Sequence, residues 1–305
     1  MVSAVELPPI QIQEHLDDNK RILAAQSPTI EQVPQAQSTN SARWNQEDLW
    51  LQGGLPDSLF AEGIDSSFAW GKDYLSGMLN QYFHDWDIDA SDRLPEVFQW
   101  IANNNGEQFN ETNCAKALSV KKESVRKSLK VLEKTGMVRC FPNWPVGSNQ
   151  SPNSMPVYYV RDCGLLHAML KIDIIDMLHN SSARGHSWES FAVENLVNKT
   201  QGQATLAFFR DRDKNEIDLV LNIFNGTTLA IELKVNPNKK AEQGFRIASE
   251  KIRAMKQMIV HSGEEDIRET GGEGAKLSLI SAIRSLSQPG CSLWTYRSPH
   301  MQQES

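Results

Sequence analysis

The sequence predicts an α/β protein, α+β overall, in which a helical region with a winged helix-turn-helix precedes a mixed β-sheet flanked by helices. Three observations predict it. Apolar residues recur at helical spacing from Trp44 to about Lys134. The chain then turns, at Thr135-Gly136, into a short strand that returns near Val157–Val160. From Asn215 to Val235 apolar and polar residues alternate with a period of two, the mark of half-buried strands. The 305 residues allow two domains, at roughly 100–200 residues each, and 40% apolar content is enough to fill their cores.

Composition narrows the function classes. Lys and Arg total 31 against 38 Asp and Glu, a net charge of -7. That excludes a uniformly basic coat and leaves room for a local basic patch. The four cysteines (Cys114, Cys140, Cys163, Cys291) form no C-x-x-C pair, which argues against a zinc knuckle or disulfide scaffold and fits a reducing cytoplasm. No apolar run reaches the roughly 18 residues a membrane span needs, and no basic-then-apolar leader opens the chain. The expectation is a cytoplasmic protein with no membrane partner.

Residues 1–45 read as a disordered or partly helical tail, rich in Gln, Pro, Ser and Asn. Residues 46–160 form the helical region with its winged helix-turn-helix. Gly53-Gly54 and Pro56 break Trp44–Trp86 into a short helix, a turn and a longer helix carrying Phe68, Trp70, Tyr74, Leu75, Met78, Leu79 and Phe83. Leu94, Val97, Phe98 and Ile101 line the next helix, and Cys114, Ala117 and Leu118 a second short one. The third, with Val125, Leu129 and Leu132 inward, is the recognition element. From Lys121 to Arg139 it carries seven basic and two acidic residues, net +5. Lys121, Lys122, Arg126, Lys127, Lys130 and Lys134 are therefore candidate phosphate contacts.

Residues 161–290 make the second domain, and residues 291–305 a C-terminal tail. Cys163–Leu178 reads as one apolar helix in which His167 is a core histidine. Ser187 caps a helix carrying Trp188, Phe191, Ala192, Leu196 and Val197. Glu189 falls within that apolar stripe, whereas Glu194 points the opposite way, as a surface charge. A buried acid needs a partner, so Glu189 is the functional candidate.

Two strands follow, Asn215–Phe224 and Thr227–Val235. A two-residue loop would pair Asp218 with Leu233. A three-residue loop, with Gly226 in the left-handed conformation, pairs Ile223 with Thr227 and stacks Leu219 on Ile231 and Leu221 on Leu229. Hydrophobic matching selects the second register. It sets Asp218 opposite Glu232 and Glu216 opposite Lys234, on one face. Carboxylates that converge in this way repel unless a cation lies between them, and hard oxygen donors suit Mg²⁺ or Mn²⁺. Glu189, Asp218 and Glu232 are the candidate ligands and Lys234 the group that orients the nucleophile. Lys239, Lys240, Lys251 and Arg253, beyond the site, could hold a nucleic-acid backbone. A final strand is expected at Leu277–Ile280.

This set resembles the PD-(D/E)XK nuclease superfamily: Glu189 on the first helix, Asp218 on a core strand, Glu232-Leu233-Lys234 on the next. The resemblance extends to Leu49-Trp-Leu-Gln-Gly-Gly-Leu-Pro-Asp-Ser-Leu59, Tyr159-Val-Arg-Asp-Cys-Gly-Leu-Leu-His167, Gly185 to Leu196, Glu216-Ile-Asp-Leu-Val-Leu221, Ile231-Glu-Leu-Lys234 and Gly244-Phe-Arg246. In collinear order over about residues 45–285, these are similar to the C-terminal module that follows the AAA+ core in many archaeal and bacterial ATPases. That module pairs a winged helix with a PD-(D/E)XK-like domain. Two features depart from it. No G-x-x-x-x-G-K-[ST] is present, so no ATP hydrolysis is expected of this chain. Gln52 and Asn80-Gln-Tyr82 stand where the family usually carries charged residues.

The resemblance implies a restriction-endonuclease-like sheet and a Mg²⁺- (or Mn²⁺-) dependent DNA endonuclease positioned by its winged helix. The alternative is a catalytically inactive DNA-binding or adaptor protein that partners a separately encoded ATPase. Self-association into a homo-oligomer is also open.

Overall fold

The computed structural model describes residues 44–77, 93–146, 155–200, 202–268 and 275–286. The expectations for residues 1–43, for Met78, Leu79, Asn80–Tyr82, Phe83 and Trp86, for the loop at residues 271–274 and for Cys291 and the C-terminal tail lie outside them.

Three helices open the described chain: α1 (Gln46–Gln52), α2 (Pro56–Leu59) and α3 (Ile64–Gly77). Asn45 caps α1 through its side chain, with Asp48 returning the bond. Gly53 ends the helix at φ +77°, where a Cβ would lie 2.3 Å from Asp162 Oδ1. The Gly53-Gly54 pair thus lets the chain fold tightly onto that carboxylate, which accepts from Gly54 N (2.8 Å) and Leu165 N (2.9 Å).

α4 (Leu94–Asn103), α5 (Glu111–Ala117) and α6 (Lys122–Lys134) lead into the hairpin β1 (Val138–Phe141) and β2 (Val157–Val160). This is the expected winged helix-turn-helix. Val97, Phe98, Cys114, Val125, Leu129 and Leu132 fill its core. The expected single helix over Cys163–Leu178 is instead two, α7 (Cys163–Leu170) and α8 (Ile175–Asn180). Lys171, left-handed at φ 60°, ends the first. Leu165, Leu166 and Ala168 of α7 pack into the winged-helix core.

α9 (Arg184–Lys199) crosses between the two parts, and all its residues from Ser187 to Val197 except Glu189 are buried. A six-stranded sheet follows in the order β3-β4-β5-β6-β8-β7. Its strands are β3 (Ala204–Arg210), β4 (Glu216–Ile223), β5 (Thr228–Lys234), β6 (Lys256–His261), β7 (Ile267–Arg268) and β8 (Ala275–Ser278). β3-β4-β5 is an antiparallel meander; β5, β6 and β8 run parallel, with α10 (Gln243–Lys251) as the first crossover. The expected last strand stops at Ser278, and α11 (Leu279–Leu286) starts there.

Three layers result. α9 and α11 cover one face, where Trp188, Leu196 and Ile283 meet Leu219, Ile231 and Val260. α10 covers the other, with Phe245 and Ala248 against Val220 and Ala230. The free edge of β3 is capped by the chain leaving β1. Trp144 N donates to Phe208 O, Phe208 N to Pro142 O, and the Asn143 side chain bonds Arg210 at both N and O. Covering an edge strand in this way removes a site for unwanted pairing, and it fastens the wing to the sheet.

Candidate functional site

The hairpin register is the expected one. Leu219 pairs with Ile231 and Leu221 with Leu229. Ile223 N donates to Thr227 O (2.9 Å), and Gly226 takes φ +90°. Below Leu219 the ladder opens, and the Asp218 carboxylate accepts from Leu233 N at 2.7 Å.

The opening has a cause on the other side of β4. Ala207 pairs with Val220 but Phe209 pairs with Ile217, so β4 carries one residue more than β3. This bulge resets the alternation. Leu219 and Leu221 lie in the α9 layer, whereas Ile217 lies with Val220 in the α10 layer. Strict period two puts Ile217 on the face of Leu219; the bulge turns it to the opposite layer. Asp218 sits at the reset. It therefore meets Glu189 from the α9 side and Glu232 and Lys234 from the α10 side.

Glu232 is buried and Lys234 half-buried, with Nζ donating to Glu232 Oε1 at 2.8 Å. The ammonium's second acid is Glu242, also at 2.8 Å, whose side chain is 69% exposed. Glu216, expected opposite Lys234, lies near Arg210 (3.4 Å) instead, because the bulge turns it away. Glu232 Oε2 is buried with no hydrogen-bond partner among the described residues.

Glu189 Oε2 accepts from Tyr159 OH (3.3 Å) and pairs with His186 Nδ1 (3.0 Å). With Gly106, Glu107 and Asp218, these residues line a cleft of about 450 Å³ between the helix-turn-helix and the β3–β4 edge. A Cβ on Gly106, at φ +80°, would lie 2.7 Å from His186 Nδ1, so only glycine lets the imidazole sit there.

Burial, then the Glu189 charge, pushes the Asp218 carboxyl well above the usual carboxylate range, and Glu232 adds to it. Burial raises Glu232 as well, against the opposing pull of Lys234. For Lys234, burial opposes the charged form, but the bonds to Glu232 and Glu242 outweigh it and raise the ammonium. The hydrogen bond to Glu189 raises His186 over the opposing effect of burial, and Glu107 and Asp218 contribute in the same direction.

The rest of the α9 reading needs correction. Ser187 is not a cap; the helix starts at Arg184. The buried Ser187 Oγ accepts from Trp50 Nε1 (2.9 Å) and bonds His167 Nε2 (2.7 Å), while His167 Nδ1 reaches Leu51 O (2.8 Å). His167 is thus the core histidine expected. Glu194 is not a surface charge but buried, bonded to Arg161 Nε and, through both oxygens, to Arg139. Arg139 therefore turns inward, away from the basic helix. A one-sided helix was assumed; α9 has the sheet on one side and the winged helix on the other.

Along α6, Lys121, Lys122, Arg126, Lys130 and Lys134 are exposed and Lys127 is half-buried. Arg126 pairs with Glu111 (2.9 Å) and Glu123 (3.8 Å). Beyond the site, Lys251 pairs with Asp211. Tyr159, His186 and Glu242 were missed in the sequence. Their only signal was proximity to Glu189 and Lys234 in the chain or across the winged-helix junction.

Fold and site together define an α/β protein in which a winged helix is fastened to a mixed sheet bearing an acid–lysine cluster. Residues 43–175 match a domain of unknown function (DUF8612), and residues 184–280 match a second (DUF4143). Curated relatives include uncharacterized proteins of Mycobacterium bovis and Mycobacterium tuberculosis, each 28% identical over 221 residues. The match covers 71% of this chain and 49% of each relative, so the chain spans about half their length. No solved structure matches. Among the described residues no helix is long and apolar enough to cross a membrane.

Proposed function

We propose that this chain is a divalent-cation-dependent phosphodiester hydrolase acting on DNA, with the winged helix as its positioning element. The observation that carries the reading is the opened β4–β5 pair. There Asp218 faces Glu232, whose buried Oε2 has no hydrogen-bond partner among the described residues, with an ammonium alongside. An unpaired buried carboxylate oxygen costs about 1–3 kcal/mol or more, and a cation between Asp218 and Glu232 would relieve both that and their mutual repulsion.

The donor set fits the ion. Among the described residues no group of three His, Cys, Asp or Glu side chains is placed to hold a metal. Mg²⁺ is commonly held by one or two carboxylates, with water and phosphate oxygens completing its shell. When bound, such an ion supplies an acidified water and charge stabilisation at phosphorus. Lys234 holds Glu232 in place and, once a phosphate oxygen displaces the exposed Glu242, offers a proton-bearing contact to the reacting group. The exposed lysines of α6 supply a sequence-independent hold on the backbone.

The second reading is a non-catalytic DNA-binding or adaptor protein that partners a separate ATPase. It draws on DUF4143 being found in ATPase-associated proteins and on the match covering only 49% of each relative. One assay separates the two. Wild-type protein, Asp218→Ala and Lys234→Ala are incubated with single- and double-stranded oligonucleotides in Mg²⁺, Mn²⁺ or EDTA. Cleavage by wild type alone, and only with the ion, supports the hydrolase. Salt-sensitive binding by all three without cleavage supports the adaptor.

A further inference from the structure

We infer that the Glu242 carboxylate fills the place on Lys234 that a phosphodiester of the substrate takes, and that it competes with the substrate for that place. The inference rests on the hydrolase reading above and names the residue that sets substrate affinity at the same site.

The two acids on Lys234 are not alike. Its Nζ donates to Glu232 and to Glu242, both at 2.8 Å, and its own side chain is 16% exposed. Glu232 is buried within β5. Glu242 reaches in from the N-cap position of α10, with its side chain 69% exposed. It makes no side-chain cap bond to the helix it precedes. The bond from Lys234 is the only hydrogen bond its carboxylate makes among the described residues. Asp218 is fixed by Leu233 N. Glu242 is thus the ligand of Nζ that can be exchanged without opening the sheet. An exposed ion pair is weak in water, and Lys239, near enough to act on the Glu242 charge, offers the released carboxylate a second partner.

Charge balance favours exchange over addition. Asp218, near enough to act on the ammonium, joins Glu232 and Glu242 as the third carboxylate around Lys234. A divalent cation between Asp218 and Glu232, together with the ammonium, neutralises all three. A phosphodiester that entered beside Glu242 would leave one negative charge in excess. A phosphodiester that replaces it keeps the balance and takes over the same N⁺–H···O⁻ bond. No covalent bond changes in this step; one monoanion replaces another on Nζ.

The test is a double-mutant cycle on the full chain. Affinity for a fluorescein-labelled DNA oligonucleotide is read by fluorescence anisotropy in Ca²⁺, and KM and kcat for its cleavage are read in Mn²⁺. Glu250→Gln, exposed at the far end of α10, makes the same change of charge away from Lys234. Glu242→Gln should tighten binding by about two- to fivefold, what an exposed ion pair is worth, and should lower KM more than it changes kcat. Glu250→Gln should leave affinity near wild type. With Lys234 already replaced by Ala, Glu242→Gln should add nothing. No gain from Glu242→Gln, an equal gain from Glu250→Gln, or the same gain in the Lys234→Ala background would each overturn the inference, while Mn²⁺-dependent cleavage by wild type would keep the hydrolase reading. A wild type that binds the oligonucleotide without cleaving it overturns the hydrolase reading, and the binding cycle alone then decides whether Glu242 competes at Lys234.

Discussion

Asp218 shows how a single residue can be set against the stability of its own fold. Its carboxyl is buried beside two other acids, so its proton affinity is raised above the unfolded value. By linkage, the folded state without a cation loses stability as pH rises from the unfolded carboxyl range through that raised value. Asn keeps the acceptor for Leu233 N and removes the charge. Asp218→Asn should therefore raise the melting temperature of ion-free protein at neutral pH. About 2–4 °C is expected per roughly 1 kcal/mol gained in a chain of this size. Differential scanning calorimetry in EDTA reads it, and a fall would show that Asp218 is structural.

His167 carries the opposite sign. Burial lowers it to about 4, with the bond to Leu51 O opposing, so the native state keeps it neutral while the unfolded chain takes a proton below about 6.5. Its contribution is complete above the unfolded value and is lost as pH falls from about 6.5 towards 4. The loss is on the order of 3 kcal/mol, at about 1.4 kcal/mol per pKa unit. Urea titrations at pH 7 and pH 5 should show that loss beginning in wild type. His167→Gln should flatten the dependence in this window, and an unchanged slope would remove His167 as its source.

Elements explain which features were legible in the sequence. The β4–β5 register could be read because Leu219, Leu221, Leu229 and Ile231 match in only one alignment, and Gly226 supplies the left-handed residue that alignment needs. The bulge at Asp218 could not, since it is imposed by β3, whose Ala207 and Phe209 straddle the extra residue. Helix α9 was misread for a related reason. Its periodicity shows the apolar face against the sheet, but the partners of Glu194 come from β1 and the end of β2, some 30 to 55 residues earlier. Glu194 is 2% exposed and Arg161 7%. Glu194→Ala would remove the buried carboxylate that Arg161 and the half-buried Arg139 share, a loss of about 3–5 kcal/mol. The urea midpoint measures it, and an unshifted midpoint would mean the arginines find water.

At the level of the whole molecule, the winged helix and the sheet are built as one piece. The Glu194–Arg139–Arg161 cluster, the Asn105 bond to His186 O, and the strand-like contact of residues 142–144 with β3 all cross between them. The cleft with Asp218 on its wall is a product of that union, and neither part has it alone. A basic helix on one part and an acid–lysine cluster on the other thereby keep a fixed geometry. The proposed hydrolase needs such a fixed geometry between its positioning element and its site.

The direct test is calorimetric titration of Mn²⁺ and Mg²⁺ into the intact wild-type chain, with an oligonucleotide present to complete the coordination shell and Asp218→Asn measured alongside. Saturable binding in wild type that is lost in Asp218→Asn is the predicted result. No binding in wild type, or the same binding in both proteins, would contradict a cation held between Asp218 and Glu232.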